Sequence, residues 1–271
     1  MNPYIQILRP SNGIMAAIAV LIGFLLSSGQ FTFSYHLIYG IVAVFILSGA
    51  GLVINDYYDV EMDKINAPQR PIPSGKISKR SALIYSIILF GIGITFAGLI
   101  NTQCFILAIV NSLLEVVYSW KAKKMFFIGN VVDSWFVLSS FLFGSMIVTG
   151  IMSTGLVVIV VCLLAFLSNM GREIFGDIED IVGDKAVGAN TLPVKLGVNK
   201  AKLIASLFII ASVILSFLPI EFHLLGRYYL YIVILADILF LYSLTKSAHA
   251  TQKWTRIAMV VALIAFIAGL L

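Results

Sequence analysis

Nine stretches of roughly 20 residues in this 271-residue chain are almost bare of charge, and they decide what it can fold into. A helix needs about 20 largely apolar residues to cross a bilayer. Inside hydrocarbon every backbone N–H and C=O must find a partner within the structure, which leaves helices and closed barrels. The runs lie at about 11–29, 35–57, 80–99, 103–120, 130–149, 154–175, 199–219, 227–245 and 254–271. Only 11% of residues are charged, while 60% are hydrophobic and the mean hydropathy is +1.02; a soluble domain carries about 25% charged residues. So few ions cannot cover a soluble surface, and disorder requires low hydrophobicity. The expectation is an all-α membrane protein, one transmembrane domain over 1–271 with about nine transmembrane helices. The first run starts after Arg9-Pro10 and lacks a small-residue cleavage pattern, so it reads as a span and not as a cleaved signal.

Basic residues mark the cytoplasmic side. When nine spans alternate across the membrane, 17 of the 18 Lys and Arg residues fall on one side, and only Arg227 falls on the other. This predicts an integral protein of the cell membrane, with the N-terminus in the cytoplasm and the C-terminus outside. It also accounts for the net charge of +5 without nucleic acid. No nucleic acid and no obligate protein partner is expected. Cys104 and Cys162 sit in separate apolar runs, and His36, His223 and His249 are isolated, so neither a disulfide framework nor a Cys/His metal site is expected.

Two cytoplasmic connections, 55–80 and 172–202, are long and rich in both signs of charge. The first contains Asn55-Asp56-x-x-Asp59-x-x-x-Asp63-Lys64 and the second Asp177-x-x-Asp180-x-x-x-Asp184-Lys185, the same pattern offset by 121 residues. They end the second and sixth runs, so the chain divides into two four-helix halves, about 1–125 and 126–250, plus a ninth helix around a central cavity. On an unbroken helix, positions i, i+3 and i+7 share a face. Six aligned carboxylates repel one another unless cations intervene. Hard oxygen ligands in that number suit Mg²⁺ completed by a diphosphate. Asn55, Asp56, Asp59, Asp63, Asp177, Asp180 and Asp184 are the candidate metal ligands, with Asp59 and Asp180 at the centre of each set. One such motif would equally be a solvated helix end; its duplication argues for a site. Lys64, Arg70, Lys76, Lys121, Arg172 and Lys185 stand near enough in sequence to meet diphosphate oxygens. Lys123, Lys124, Lys200, Lys202, Lys253 and Arg256 are assigned to topology alone.

These motifs resemble those of the UbiA superfamily of intramembrane prenyltransferases, and the resemblance runs over essentially the whole chain. It implies nine helices and Mg²⁺-dependent transfer of a prenyl group from a prenyl diphosphate to a lipid-like acceptor. Tyr118-x-x-Lys121 resembles the superfamily's tyrosine–lysine element on the fourth helix, which implies catalytic and substrate-binding roles for Tyr118 and Lys121. Three stretches are most similar to the archaeal ether-lipid branch: Ile7-Leu8-Arg9-Pro10-Ser11-Asn12-Gly13, Arg70-Pro71-Ile72-Pro73-Ser74-Gly75-Lys76 and Gly171-Arg172-Glu173-Ile174. That branch joins geranylgeranyl diphosphate to geranylgeranylglyceryl phosphate, which implies an anionic acceptor met by Arg9 or Lys121, with Asn12 a further substrate-binding candidate. Glu173 and Asp133 are candidate bases only as carboxylates at the right membrane level. An aromatic-acceptor relative would carry the same aspartates. A CDP-alcohol phosphotransferase would carry a single motif behind Asp-Gly and Ala-Arg pairs, which are absent. A cation or phosphate transporter would place its carboxylates near the midplane of broken helices, whereas these lie at helix ends.

Overall fold

The computed structural model describes residues 2–30, 33–149 and 154–271; the short connections at 31–32 and 150–153 lie outside the described residues. The chain forms helices α1 (Pro3–Ile7), α2 (Pro10–Ser28), α3 (Tyr35–Tyr58), α4 (Val60–Asn66), α5 (Lys79–Gly98) and α6 (Thr102–Trp120). A single 3₁₀ turn, Ala122–Lys124, leads to α7 (Ile128–Val148), α8 (Leu156–Glu179), α9 (Ile181–Ala186), α10 (Leu192–Leu196), α11 (Val198–Leu215), α12 (Leu218–Glu221), α13 (Arg227–Ser243) and α14 (Ala248–Ala268). Helix starts carry chemical signals. Asn101 caps α6 by accepting from the Cys104 N–H, Ser78 caps α5 through Ser81, and Ser247 caps α14 through Ala250. Pro10 occupies the first turn of α2, where its missing N–H costs nothing.

Among the described residues, eight helical stretches are long and apolar enough to cross a membrane: α2, α3, α5, α6, α7, α8, α11 with α12, and α14. The run expected at 227–245 forms α13, whose 17 residues extend about 26 Å at 1.5 Å per residue, a little short of the ~30 Å hydrocarbon core. The last helix starts at Ala248, six residues earlier than expected, so Lys253 lies inside it. The sixth span continues past 175 to Glu179. Outward stripes on the peripheral helices are apolar. They include Ile84, Ile87, Ile88 and Ile92 on α5, Leu203, Leu207 and Ile214 on α11, and Tyr231, Leu235 and Ile238 on α13. In water such patches would drive association; here they form the lipid-facing surface of an integral membrane protein.

At the centre α2 lies against α7. A Cβ on Gly23 would collide with the carbonyl oxygen of Phe141, and one on Gly144 would collide with the carbonyl oxygen of Val20. Small residues at such seams let helix backbones approach where no hydrophobic force drives association. The offset of 121 residues that relates the aspartate motifs also relates Gly23 to Gly144 and Val20 to Phe141, so the seam is built reciprocally. Gly144→Leu should cost near the upper end of the ~1–3 kcal/mol typical of overpacking. That corresponds to a loss of roughly 10 °C in thermal midpoint, followed by fluorescence-detected unfolding in detergent. An unchanged midpoint would show that the seam yields.

Candidate functional site

The aspartate motifs do not lie on unbroken helices. α3 ends at Tyr58 and α4 begins at Val60, with Asp59 between them at φ −89°; α8 ends at Glu179 and α9 begins at Ile181, with Asp180 between them at φ −87°. Hydrogen bonding continues through each bend. The Asp59 N–H donates to the Asn55 carbonyl at 3.0 Å and the Asp63 N–H to the Asp59 carbonyl at 2.7 Å; the Asp180 and Asp184 amides repeat this at 2.9 and 3.0 Å. A helical hydrogen bond therefore ends at each bend residue and another starts from it. The bend turns α4 and α9 onto each other. Asn66 of α4 donates to Asp180 Oδ1 at 3.2 Å and lies over Gly183 of α9, where a Cβ has no room. The two motifs thus meet.

Their partners differ. In the first motif the Arg9 guanidinium pairs with Asp56. Arg70 donates to Asp63 at 2.6 Å and lies 3.5 Å from Asp56. The Lys123 ammonium pairs with Asp59 and lies 3.5 Å from Asn55 Oδ1. Arg9 takes a left-handed backbone (φ 44°) at the turn between α1 and α2, uncommon for a residue with a Cβ. In the second motif the partners are neutral: Asn130 donates to Asp177 at 2.7 Å and Thr191 to Asp184 at 2.8 Å. Burial opposes the charge on Lys123 and Arg70, but Asp59 beside the lysine and Asp63 bonded to the arginine outweigh it and raise both pKa values. Both groups stay cationic. The buried Asp184 carboxyl is pushed up by desolvation, against the Thr191 hydroxyl that lowers it.

Asp56, Asp59 and Asp63 are each at most 2% exposed, yet Asp56 Oδ2, Asp59 Oδ1 and Asp63 Oδ2 are buried without a hydrogen-bond partner. Buried polar atoms are nearly always bonded. Three orphaned carboxylate oxygens in one motif form a donor set of the kind Mg²⁺ takes. Among the described residues no three acidic, His or Cys side chains converge on a single ion position; Arg9, Arg70 and Lys123 stand among the first set and neutralise it. The donor chemistry fits the ion.

The remaining candidates separate. Lys121 is exposed, and Lys123, two residues on in the 3₁₀ turn, reaches the aspartates instead. Lys64 is spent on Glu61 at 2.8 Å at the surface, and Lys76 and Lys185 are exposed. Tyr118 is buried, with Phe136 edge-on at 6.0 Å. Arg172 donates to Asn169 Oδ1 at 3.1 and 3.0 Å, pairs with Glu173 and lies 3.9 Å from Asp133.

A cavity of about 290 Å³ runs down the middle of the bundle. Asn12, Glu115, Asp133, Asn169, Arg172 and Arg256 form its polar end, and Phe141, Tyr229 and Phe266 its apolar one. From Arg256 to Phe266 along α14 is ten residues, or about 15 Å. Such a shape takes an elongated apolar chain with a charged head. Lys123, Asn66, Asn130, Glu115 and Arg256 are site residues that sequence reasoning passed over. Three of them, Glu115, Asn130 and Arg256, were discoverable as polar groups kept inside or at the ends of apolar runs.

A model of the UbiA prenyltransferase family matches residues 16–270. A digeranylgeranylglyceryl phosphate synthase of Methanosphaera stadtmanae is 41% identical over 279 residues, covering 100% of both chains. A solved structure of a digeranylgeranylglyceryl phosphate synthase is 36% identical with a TM-score of 0.77, covering 99% of this chain and 97% of that one. The structure of a UbiA homolog from Archaeoglobus fulgidus bound to GPP and Mg²⁺ is 18% identical with a TM-score of 0.73, covering 99% of each, and is similar in fold.

Proposed function

We propose, on the premise that the chain belongs to the UbiA prenyltransferase family, that it transfers a geranylgeranyl group from geranylgeranyl diphosphate to geranylgeranylglyceryl phosphate, forming the second ether bond of archaeal membrane lipids. It is a prenyltransferase enzyme. The observation that carries the acceptor is the identity of about 40% over the full length to relatives named for this synthesis. The site supports it. Two bent helix ends bring paired aspartates and three cations to the level of the polar end of one apolar cavity.

Asp56, Asp59 and Asp63 on one side, with Asp177, Asp180 and Asp184 on the other, would hold Mg²⁺. Bound there, it supplies Lewis-acid stabilisation of charge developing on the departing diphosphate. Lys123, Arg70 and Arg9 add fixed positive charge at the same place, worth most where charge appears in the transition state. The cavity wall holds the isoprenoid chain and keeps water from an allylic carbon that becomes cationic as its bond to oxygen breaks. Tyr118 and Phe136 bring aromatic rings to that level, where a ring face stabilises a cation. Arg172 and Arg256 at the polar end suit the phosphate of the acceptor. We read the aspartate side as cytoplasmic, from the placement of basic residues, and the chain as one domain of two related halves.

The test is incubation of purified protein with geranylgeranyl diphosphate, Mg²⁺ and a panel of acceptors, with products identified by mass. Geranylgeranylglyceryl phosphate is expected to be prenylated, its dephosphorylated analogue far more slowly, and 4-hydroxybenzoate not at all. Prenylation of the aromatic acid without the glycerophosphate would reject this acceptor and keep the prenyltransferase.

A further inference from the structure

We infer that Glu115 is the base that takes the proton from the acceptor's hydroxyl, an inference that rests on the prenyl transfer proposed above. Making an ether from an alcohol releases a proton, and of the two carboxylates the sequence offers for it, Glu173 is paired with Arg172 and is not part of the cavity lining. Among the described residues three carboxylates line the cavity: Glu115, Asp133 and Asp237. Asp133 accepts from Asn169 Nδ2 at 2.9 Å and faces the Arg172 guanidinium at 3.9 Å, which makes it a poor proton acceptor. Asp237 on α13 accepts from Ser216 Oγ at 2.8 Å, and the Ser216 carbonyl is itself bonded by Tyr229 toward the apolar end. The Glu115 carboxylate makes no hydrogen bond and no ion pair among the described residues.

What holds Glu115 is shape. It lies against Gly51 of α3, where a Cβ would come within 2.9 Å of its Cγ and Cδ. Gly51 precedes Asp56 by five residues, which sets this notch about 7.5 Å below the first aspartates along the helix axis. Glu115 likewise precedes the last residue of α6 by five. A diphosphate on the aspartates hangs its allylic carbon into the cavity just beneath them, so the attacking oxygen must arrive at about this depth. An unpaired acidic side chain at membrane depth is expensive and is kept where it functions.

The step balances. The acceptor oxygen forms the new C–O bond to the allylic carbon. The bond from that carbon to the diphosphate breaks, and its electron pair leaves with the diphosphate. The proton on the acceptor oxygen passes to a Glu115 carboxylate oxygen.

Glu115→Gln preserves shape and removes the basic oxygen. In wild type and variant at saturating Mg²⁺, kcat with geranylgeranylglyceryl phosphate is expected to fall by at least about 100-fold, with donor binding by calorimetry and both KM values within about twofold. An acceptor analogue with a thiol in place of the hydroxyl discriminates further. A thiol is far more acidic than an alcohol, so at pH 9, half a unit above the ~8.5 of a cysteine thiol, a thiolate fraction is present without any base, and the two proteins should react within about threefold of each other. Undiminished kcat with the alcohol overturns the inference, and so does an equal loss with both acceptors, which would mean a structural role. A wild-type enzyme that prenylates neither acceptor overturns the underlying reading, and the inference with it.

Discussion

Replacement of Asp59 or Asp180 by alanine is expected to lower turnover of well-folded enzyme by at least about 100-fold, the scale of losing one preorganised electrostatic group at a transition state. The two positions test the site in different ways. Asp59 is buried against Lys123, and removing one partner of a buried pair costs about 3–5 kcal/mol in stability. Asp59→Asn is therefore the companion variant, and monodispersity is checked before rates. Asp180 is exposed and bonded only by Asn66 at 3.2 Å among the described residues, so a loss there reports chemistry with little folding penalty. Chelation by EDTA should abolish activity in wild type and Mg²⁺ should restore it. Near-wild-type rates in either folded variant, or full turnover in a metal-free preparation, would remove the aspartates from the reaction. Losses in the double variant much smaller than the product of the single ones are expected for residues that act as a unit.

The second large effect should fall on Lys123 and spare Lys121. Lys123→Met is expected to reduce kcat/KM by about 100-fold or more, since it deletes the one ammonium the structure places on Asp59. Lys121→Met should stay within about threefold. In EDTA the Lys123→Met protein should also unfold at lower temperature than wild type, because the side chain of Asp59, 0% exposed, is left without its counter-charge. Excess Mg²⁺ should recover the midpoint without recovering turnover. The opposite ranking of the two lysines would return the role to the position that the fourth-helix spacing points to.

The difference between these lysines shows what a one-dimensional pattern carries. Counting Tyr118-x-x-Lys121 assumes that the helix continues, but α6 stops at Trp120 and a 3₁₀ turn swings Lys123 inward. The spans themselves are legible because about 20 apolar residues and the hydrocarbon thickness impose the same length; α3, α6 and α7 lie within two residues of expectation at each end. The start of α14 is misplaced because Lys253 reads as loop, whereas a long basic side chain is tolerated inside a helix when its head reaches a polar region. The duplicated aspartates are visible as spacing, yet the bend at Asp59 and at Asp180 is not. An i, i+3, i+7 pattern is the same on a straight helix and on two helices joined at a single bend residue. Glu115 does not stand out in the sequence because a single ionisable group within an apolar run carries neither a repeat nor a spacing.

The reciprocal glycine seam sets a clock on biogenesis. Val20 and Gly23 cannot meet their partners until Phe141 and Gly144 have left the ribosome, 121 residues later. At about 5–20 residues per second this is a delay of roughly 6–24 s. During that time α2 has no α7 to pack on, and its notched face must be solvated by lipid acyl chains. Glycine suits that interval as well as the finished bundle: a bare backbone groove offers lipid little to grip, so lipid leaves it cheaply when the seventh helix arrives.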